Sequence, residues 1–107
     1  MGLAHLSFND QRERHRVAVF HRTRGIGPDG HVISLVIVDL SVQGLMARCV
    51  ADLPIGTRLQ VTLPRFGTRH ATVRWALGGR IGCELDHALD LADYYELLAM
   101  LIRGNAS

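Results

Sequence analysis

Apolar and polar residues alternate with a period of two through most of the chain, which limits the fold more than any other feature. The alternation is strict in Arg58–Leu63, as is typical of a strand with one buried face. Comparable segments, separated by Gly, Pro or Asp, lie at 17–20, 32–38, 45–51, 68–76 and 80–86. Because alternate strand residues share a face, we expect Ala71, Val73 and Trp75 to point together. The sequence therefore predicts six short strands in succession.

The period changes after the sixth strand. Asp90 is a favourable N-cap, Asp93 follows three positions later, and Gly104 predicts the end of a helix. The apolar residues at helical spacing are Leu91, Tyr94, Leu98 and Leu101. At 107 residues the chain has the size of one domain. The pattern predicts an all-β dominated fold, a closed or nearly closed six-stranded antiparallel barrel with a C-terminal α-helix over one opening or flank.

Motifs of enzymes and metal sites are absent from the sequence. Gly25–Gly30 matches GxGxxG literally, but a β-rich segment follows it where a dinucleotide site needs a helix, so it predicts a hairpin loop. The six histidines are scattered, no HExxH pair occurs, and no serine sits in a nucleophile elbow. We therefore expect neither catalysis, nor a bound metal, nor a cofactor.

The two cysteines, Cys49 and Cys83, lie in apolar surroundings without a CxxC spacing. They predict buried, reduced thiols of a cytoplasmic protein. No signal peptide is evident at the start of the chain. No apolar run approaches the length of about 20 residues that spans a bilayer, so membrane insertion is not expected.

A polar turn interrupts the most apolar run of the sequence. Val32–Val38 is followed at once by Asp39-Leu40-Ser41-Val42-Gln43-Gly44. Asp and Ser side chains can bond nearby backbone amides, and Gly44 can take a positive φ. By itself this is the composition of an ordinary hairpin turn between two core strands.

An arginine cluster lies upstream of this turn. All 12 basic residues are arginine, and five of them lie between Arg12 and Arg24. Coding bias alone can produce such a composition, but arginine also suits planar recognition of phosphates and guanine edges. Residues 17–38 between the cluster and the turn form one β-hairpin in this interpretation. Because a hairpin returns the chain to the edge where it started, the arm at 1–16 is expected beside the turn.

Guanidinium groups beside a carboxylate, a hydroxyl and backbone amides suit a purine nucleotide. Arginine reads the O6/N7 edge of guanine or a phosphate, while a carboxylate accepts from guanine N–H donors. A lone RxxxR spacing is weak evidence, since Arg65 and Arg69 repeat it without an accompanying turn. We interpret that second pair as part of a solvated surface.

The ordered set of these motifs resembles the PilZ domain family, bacterial receptors for cyclic di-GMP. The set comprises Arg12-xxx-Arg16-Val17, Asp39-x-Ser41-xx-Gly44, Ala71-Thr72-Val73-Arg74-Trp75 and Arg80-Ile81-Gly82-Cys83-Glu84-Leu85. It spans nearly the whole chain from Gln11 onward. The resemblance implies a single domain at 17–104, a PilZ-type barrel with its C-terminal helix, preceded by a flexible ligand-binding arm at 1–16.

The resemblance also implies roles for individual residues. Arg12 and Arg16 would grip guanine edges and phosphates, and Asp39, Ser41 and Gly44 would hold a second guanine and shape the turn. Gln11 and Arg14 are secondary candidates for ligand contacts. Gln11 stands where many relatives carry a further arginine, so the number of ligand molecules bound stays open.

The function that follows is a cytoplasmic receptor without catalysis. Cyclic di-GMP would order the arm, and the ordered arm would signal to an effector protein. One alternative is a PilZ-like scaffold that binds protein and not nucleotide. Another is a small barrel that binds RNA or single-stranded DNA, against which stands the lack of aromatic residues in the basic stretch. The effector and the choice between monomer and homodimer are not determined by the sequence.

Overall fold

The computed structural model describes residues 17–106, a chain of six strands and one helix. The strands are β1 Val17–Ile26, β2 Val32–Leu40, β3 Gly44–Arg48, β4 Arg58–Leu63, β5 Gly67–Leu77 and β6 Arg80–Leu85, and the helix is α1 Leu91–Ala106. β3 ends earlier than expected and β1 runs further. The helix continues past Gly104, the position that the sequence predicted as its end.

The six strands form a closed antiparallel barrel in the order β1-β2-β3-β6-β5-β4. Closure comes from a short ladder between β1 and β4, in which Gly25 faces Val61 and Ile26 faces Gln60. Gly25–Gly30 spans the end of β1 and the turn into β2, so its interpretation as a hairpin is confirmed. The predicted barrel with a C-terminal helix is the observed fold.

Antiparallel connectivity gives the barrel two distinct ends. At one end lie the start of β1, the β2–β3 turn at 41–43 and the β4–β5 turn at 64–66, with α1 beside them; we call it the helix end. Arg65 of the second turn forms an ion pair with Glu96 of α1, N–O distance 3.0 Å. At the other end, the loop end, lie the loops 27–31, 49–57 and 78–79.

The core fills the barrel and continues under α1. Strand residues on the inner face are joined by one face of the helix into a single cluster. The fully buried members with the largest side chains are Leu35, Ile37, Leu40, Leu59, Val61, Leu63, Val73, Leu97 and Leu101. Burial of this many aliphatic side chains, at about 2 kcal/mol each, is the main force that holds the helix against the strands.

The inward stripe of α1 differs from the sequence prediction. Asp90 caps the helix as predicted, since its Oδ1 accepts from the Asp93 amide at 2.7 Å. Leu91, however, is exposed, and the buried positions are Tyr94, Leu97 and Leu101. The predicted stripe was therefore wrong at Leu91. The helix approaches β1 with a face that begins one turn later.

A bulge in β5 corrects the prediction for Trp75. Ala71 and Val73 are fully buried, but Trp75 is 40% exposed and lies on the outer face. The register shifts between the pairs Val73 with Cys83 and Trp75 with Gly82, so Arg74 is the extra residue and the alternation changes phase. The indole covers Gly82 so closely that a Cβ there would overlap the ring.

Both cysteines are buried and free, as predicted. Burial, with a smaller contribution from Cys49, raises the pKa of the Cys83 thiol to about 12. Within residues 17–106, no group of three or more metal-ligating side chains comes together. The helix of this same region lacks the length and apolar character that crossing a bilayer requires.

Candidate functional site

The turn between β2 and β3 is built around the buried hydroxyl of Ser41. Its Oγ accepts from the amides of Gly44 at 3.2 Å and Gln43 at 3.3 Å, and donates to the Gly44 carbonyl at 3.3 Å. The Ser41 amide donates to that same carbonyl at 2.9 Å. The hydroxyl thus serves the Gln43 and Gly44 amides as an acceptor in place of a backbone carbonyl, and this closes the turn. Ser41 therefore fixes the shape of this turn from within.

The turn is also fastened to the chain around it. The Gln43 carbonyl accepts from the Leu85 amide, at the end of β6, at 2.8 Å. The Val42 carbonyl accepts from the Leu89 amide, just before α1, at 2.8 Å. Leu89 is itself buried. Two carbonyls of the turn are thus engaged, one by β6 and one by the segment that leads into the helix.

Gly44 is required for a different reason from the one that the sequence predicted. Its φ is not positive, so the expectation of left-handed backbone was wrong. It is the first residue of β3 and lies opposite Glu84 of β6. A Cβ at this position would overlap the carbonyl oxygen of Cys83. The glycine permits two backbones to approach closely.

Asp39 lies within β2, just before the turn, and faces outward. Ile37 and Leu40 are both fully buried, which simple alternation would forbid. The register shifts between Ile37 and Asp39, leaving Val38 as an extra residue relative to β3. This bulge brings Leu40 inward and directs Asp39 to the outer face, opposite Met46. Asp39 is half-buried there, with its Oδ1 out of contact with solvent.

Tyr94 of α1 adjoins this position. Its hydroxyl donates to the Leu40 carbonyl at a long 3.5 Å. Burial raises the pKa of Tyr94, with smaller contributions from Tyr95 and from the charge of Asp39. The carboxylate is therefore within electrostatic reach of the helix. Its helical spacing predicted Tyr94 as a core residue, but nothing in the sequence indicated that it lies beside Asp39.

The predicted arm residues Gln11, Arg12, Arg14 and Arg16 lie outside the described residues. Their attachment point is defined, because β1 begins opposite the end of β2. Val17 faces Leu40, and Ala18 faces Asp39. Residue 16 is one peptide bond away from Val17, a Cα separation of about 3.8 Å. The hairpin 17–40 thus returns to its starting edge, as the sequence predicted.

The second RxxxR pair has a structural explanation. Arg65 pairs with Glu96 at 3.0 Å, and the Arg69 guanidinium lies 5.9 Å from the centre of the Phe66 ring. Both arginines are thereby engaged with neighbouring residues at the helix end. Their interpretation as part of a solvated surface agrees with this arrangement.

Comparisons with known proteins agree with this architecture. The family model of the PilZ domain matches residues 10–104. A search of curated proteins found no match. A solved structure described as the PilZ domain of CeSA from a cellulose synthesizing bacterium is 20% identical, with a TM-score of 0.55, and the alignment covers 87% of this chain and 99% of that one.

A second solved structure is the PilZ domain with c-di-GMP of YcgR from Escherichia coli. It is 14% identical to this chain, with a TM-score of 0.57, and the alignment covers 85% of this chain and 90% of that one. At these identities the two structures show a shared fold. The family model, which matches most of the chain, identifies the family.

Proposed function

The chain belongs to the PilZ domain family, and on that premise we propose that it is a receptor for cyclic di-GMP. The ligand would bind at the helix end, between the arm at 1–16 and the outer face at Asp39. The proposed activity is binding in the cytoplasm, without catalysis. A structural relative in the same family, YcgR of Escherichia coli, has been solved with c-di-GMP.

The observation that carries the proposal is the pairing of β1 with β2. Because Ala18 faces Asp39 and Val17 faces Leu40, the arm joins the barrel next to the Asp39–Gly44 segment. The two halves of the motif, distant in sequence, would therefore lie close to each other at one end of the molecule. Arginines on the arm and a carboxylate on the outer face can then act on one ligand.

The chemistry of cyclic di-GMP fits these groups. Its two phosphates and two guanine edges are partners for Arg12 and Arg16, which can bind either in bidentate fashion. Asp39 presents an acceptor for guanine N–H donors. Gln11 and Arg14 would contribute further contacts from the arm. Loss of arm entropy on binding is offset by these charge-assisted hydrogen bonds.

Ser41 and Gly44 enter the proposal as residues that shape the site. The Ser41 hydroxyl is engaged inside the turn, and Gly44 lets β3 approach β6. Both residues are thus needed for the fold whether or not a nucleotide binds. Their presence is therefore also compatible with the alternative of a protein-binding scaffold, which would need Ser41 and Gly44 for the same structural reason. Arg12, Arg16 and Asp39 are the residues that distinguish the two functions.

The helix gives the proposed receptor a route for its signal. The turn is bonded to Leu89 at the entrance of α1, and Tyr94 donates to Leu40 beside Asp39. A ligand that shifts the turn or Asp39 would therefore act on the first turns of α1 directly. Relay to an effector protein through the ordered arm and this helix is part of the proposal.

Titration calorimetry with cyclic di-GMP tests the proposed function. We expect saturable binding of cyclic di-GMP and none of GTP or cyclic di-AMP. Arg12→Ala and Arg16→Ala should each weaken binding roughly ten- to a hundred-fold, the loss of about 1–3 kcal/mol for one guanine or phosphate contact. The fitted stoichiometry would also decide between one ligand and a stacked pair.

The matched control is Arg65→Ala, which removes an arginine of the other RxxxR pair. Its affinity should equal that of the wild type, because Arg65 is paired with Glu96. Wild-type affinity in both arm variants would contradict the proposed site. An absence of binding heat in the wild type would favour the protein-binding scaffold.

A further inference from the structure

Exposed aliphatic side chains gather in and beside the loops of the loop end. Val32, Val50, Ile55 and Leu77 are 62%, 100%, 69% and 80% exposed. Val32 opens β2 after the loop 27–31, Val50 and Ile55 lie in the loop 49–57, and Leu77 precedes the turn 78–79. The Cys49 amide donates to the Gly79 carbonyl at 2.9 Å, which joins two of these loops. Isolated exposed aliphatics are ordinary, but a group at one end of a domain marks an interaction surface.

Three exposed arginines lie near the strand ends at this same end of the barrel. Arg48 and Arg80 face each other directly in the β3–β6 ladder and are both exposed. Arg24 is exposed on β1, opposite Ser34. Within residues 17–106, none of the three takes part in an ion pair. Like charges directly opposite each other destabilise a sheet, so the Arg48–Arg80 pair costs stability that a bound anion would offset.

Acidic residues at this end are fewer than the basic ones. Asp29 is engaged by His31, at 2.7 Å between the carboxylate and the ring. Asp52 is exposed in the loop 49–57. We call the four aliphatic residues and Arg24, Arg48 and Arg80 the loop-end patch. It combines exposed apolar side chains with three arginines. None of the three forms an ion pair with a carboxylate of residues 17–106.

We propose that the loop-end patch binds the surface of an anionic lipid bilayer. Two of the aliphatic side chains stand on the loop 49–57 and the other two lie at strand ends beside turns. All four are largely exposed, so they suit a penetrable surface. Arginines next to the aliphatics match the anionic headgroups at the depth of the interface. The helix end, with the proposed nucleotide site, would then face away from the bilayer.

Co-sedimentation with lipid vesicles tests this proposal independently of any nucleotide. We expect the protein to sediment with vesicles of equal parts phosphatidylglycerol and phosphatidylethanolamine, and not with phosphatidylcholine vesicles. The double variant Arg48→Gln/Arg80→Gln should lower the partition coefficient roughly twenty-five-fold, about fivefold for each basic side chain at an anionic surface. Added salt should weaken wild-type binding through screening.

The apolar half of the patch is tested by Val50→Ser/Leu77→Ser, for which we expect a decrease of about tenfold. Arg65→Gln/Arg69→Gln removes the same charge at the helix end, and Leu91→Ser removes an exposed leucine of α1. Both controls should sediment within about twofold of the wild type. Failure of the wild type to sediment with anionic vesicles would overturn the proposal. A protein or a nucleic acid would then be the expected partner of the loop-end patch. Equal losses in the charge-matched control would overturn it as well.

Discussion

At the helix end, the Ser41 hydroxyl and two carbonyls of the turn at 41–43 form hydrogen bonds within the protein. At the loop end, by comparison, aliphatic side chains and arginines are exposed to solvent. Ser41 is buried and bonded within its turn, and the turn carbonyls are held by Leu85 and Leu89. Val50, by contrast, is fully exposed. The same six strands lead to both ends. The ends differ because α1 packs beside the helix end, whereas only loops lie at the loop end.

This difference indicates at which end of the barrel a bound ligand could affect the rest of the fold. A ligand beside Asp39 would contact a segment that is bonded both to β6 and to the entrance of α1. The loop end has no comparable link to the helix through its backbone hydrogen bonds among the described residues. We therefore expect changes at the helix end to be costly for folding and coupled to function, and changes at the loop end to be mild. The following substitutions examine that contrast in order of expected size.

Alanine at Gly44 should have the largest effect. Its Cβ would overlap the carbonyl oxygen of Cys83, a backbone atom that cannot rotate away. We expect a loss of more than about 3 kcal/mol in the free energy of unfolding, measured by urea denaturation. Gly78→Ala at the loop end has φ of +61° and no atom within 4 Å of the added Cβ. It should cost only about 1 kcal/mol, for left-handed backbone. Equal losses would remove the contrast.

Truncation of a buried leucine in α1 comes next. Leu97 is fully buried in the core shared by the helix and the barrel, so Leu97→Ala should lower the free energy of unfolding by about 3 kcal/mol. Leu77→Ala makes the same chemical change at an exposed loop-end position and should change it by less than about 0.5 kcal/mol. Urea denaturation of both variants measures the pair. A mild Leu97→Ala would mean that the helix contributes little to the fold.

Loss of the Ser41 hydroxyl should have a smaller effect. In Ser41→Ala the amides of Gln43 and Gly44 lose their shared acceptor within a buried turn, which should cost about 2 kcal/mol. Thr57→Val at the loop end removes one exposed hydrogen bond to the Pro54 carbonyl and should cost about 0.5 kcal/mol. Thermal and urea unfolding check both values. If Ser41→Ala unfolds like the wild type, the turn does not depend on its hydroxyl.

The smallest effect is a pH dependence at the loop end. The hydrogen bond between Asp29 and His31 raises the pKa of His31 above 6.5 and lowers that of Asp29 below 3.8. The His31 contribution is complete below about pH 6.5 and disappears as the pH rises through its raised pKa. The Asp29 contribution is present above about pH 3.8 and is lost as the pH falls through its lowered pKa. The pair is therefore fully formed between these limits.

An NMR titration of the histidine rings measures this pair. In Asp29→Asn we expect the pKa of His31 to fall back toward 6.5. The pKa of His21 is lowered by burial and should not respond, which makes it an internal control. An unchanged pKa for His31 would mean that Asp29 does not hold its ring.

Local patterns were enough to predict six strands in succession along the chain and the helix cap. Arg58–Leu63 alternates strictly and is β4 to the residue. Asp90 caps α1 because the N-cap preference is set by the nearest turn of backbone. The meeting of Val17 with Leu40 at the two ends of the hairpin 17–40 also followed, since a hairpin returns to the edge where it started.

Features that depend on a neighbouring strand, or on how α1 packs against the barrel, could not be predicted. The bulges at Val38 and Arg74 change which residues face inward, and neither has a signal in its own strand. Gly44 is needed because β6 passes close by, a contact that only the folded sheet creates. The exposure of Leu91 reflects how α1 meets the barrel. For the same reason the sequence indicated Asp39 as a site residue without its neighbour Tyr94.

The central claim is that cyclic di-GMP binds at the helix end, and amide chemical shifts from NMR test it most directly. Spectra of the protein would be compared with and without cyclic di-GMP. We expect the largest changes at Asp39 to Leu45 and at Leu85 to Tyr94, while His31, Val50 and Gly79 at the loop end stay unchanged. Changes confined to the loop end, or none at saturating ligand, would contradict the account.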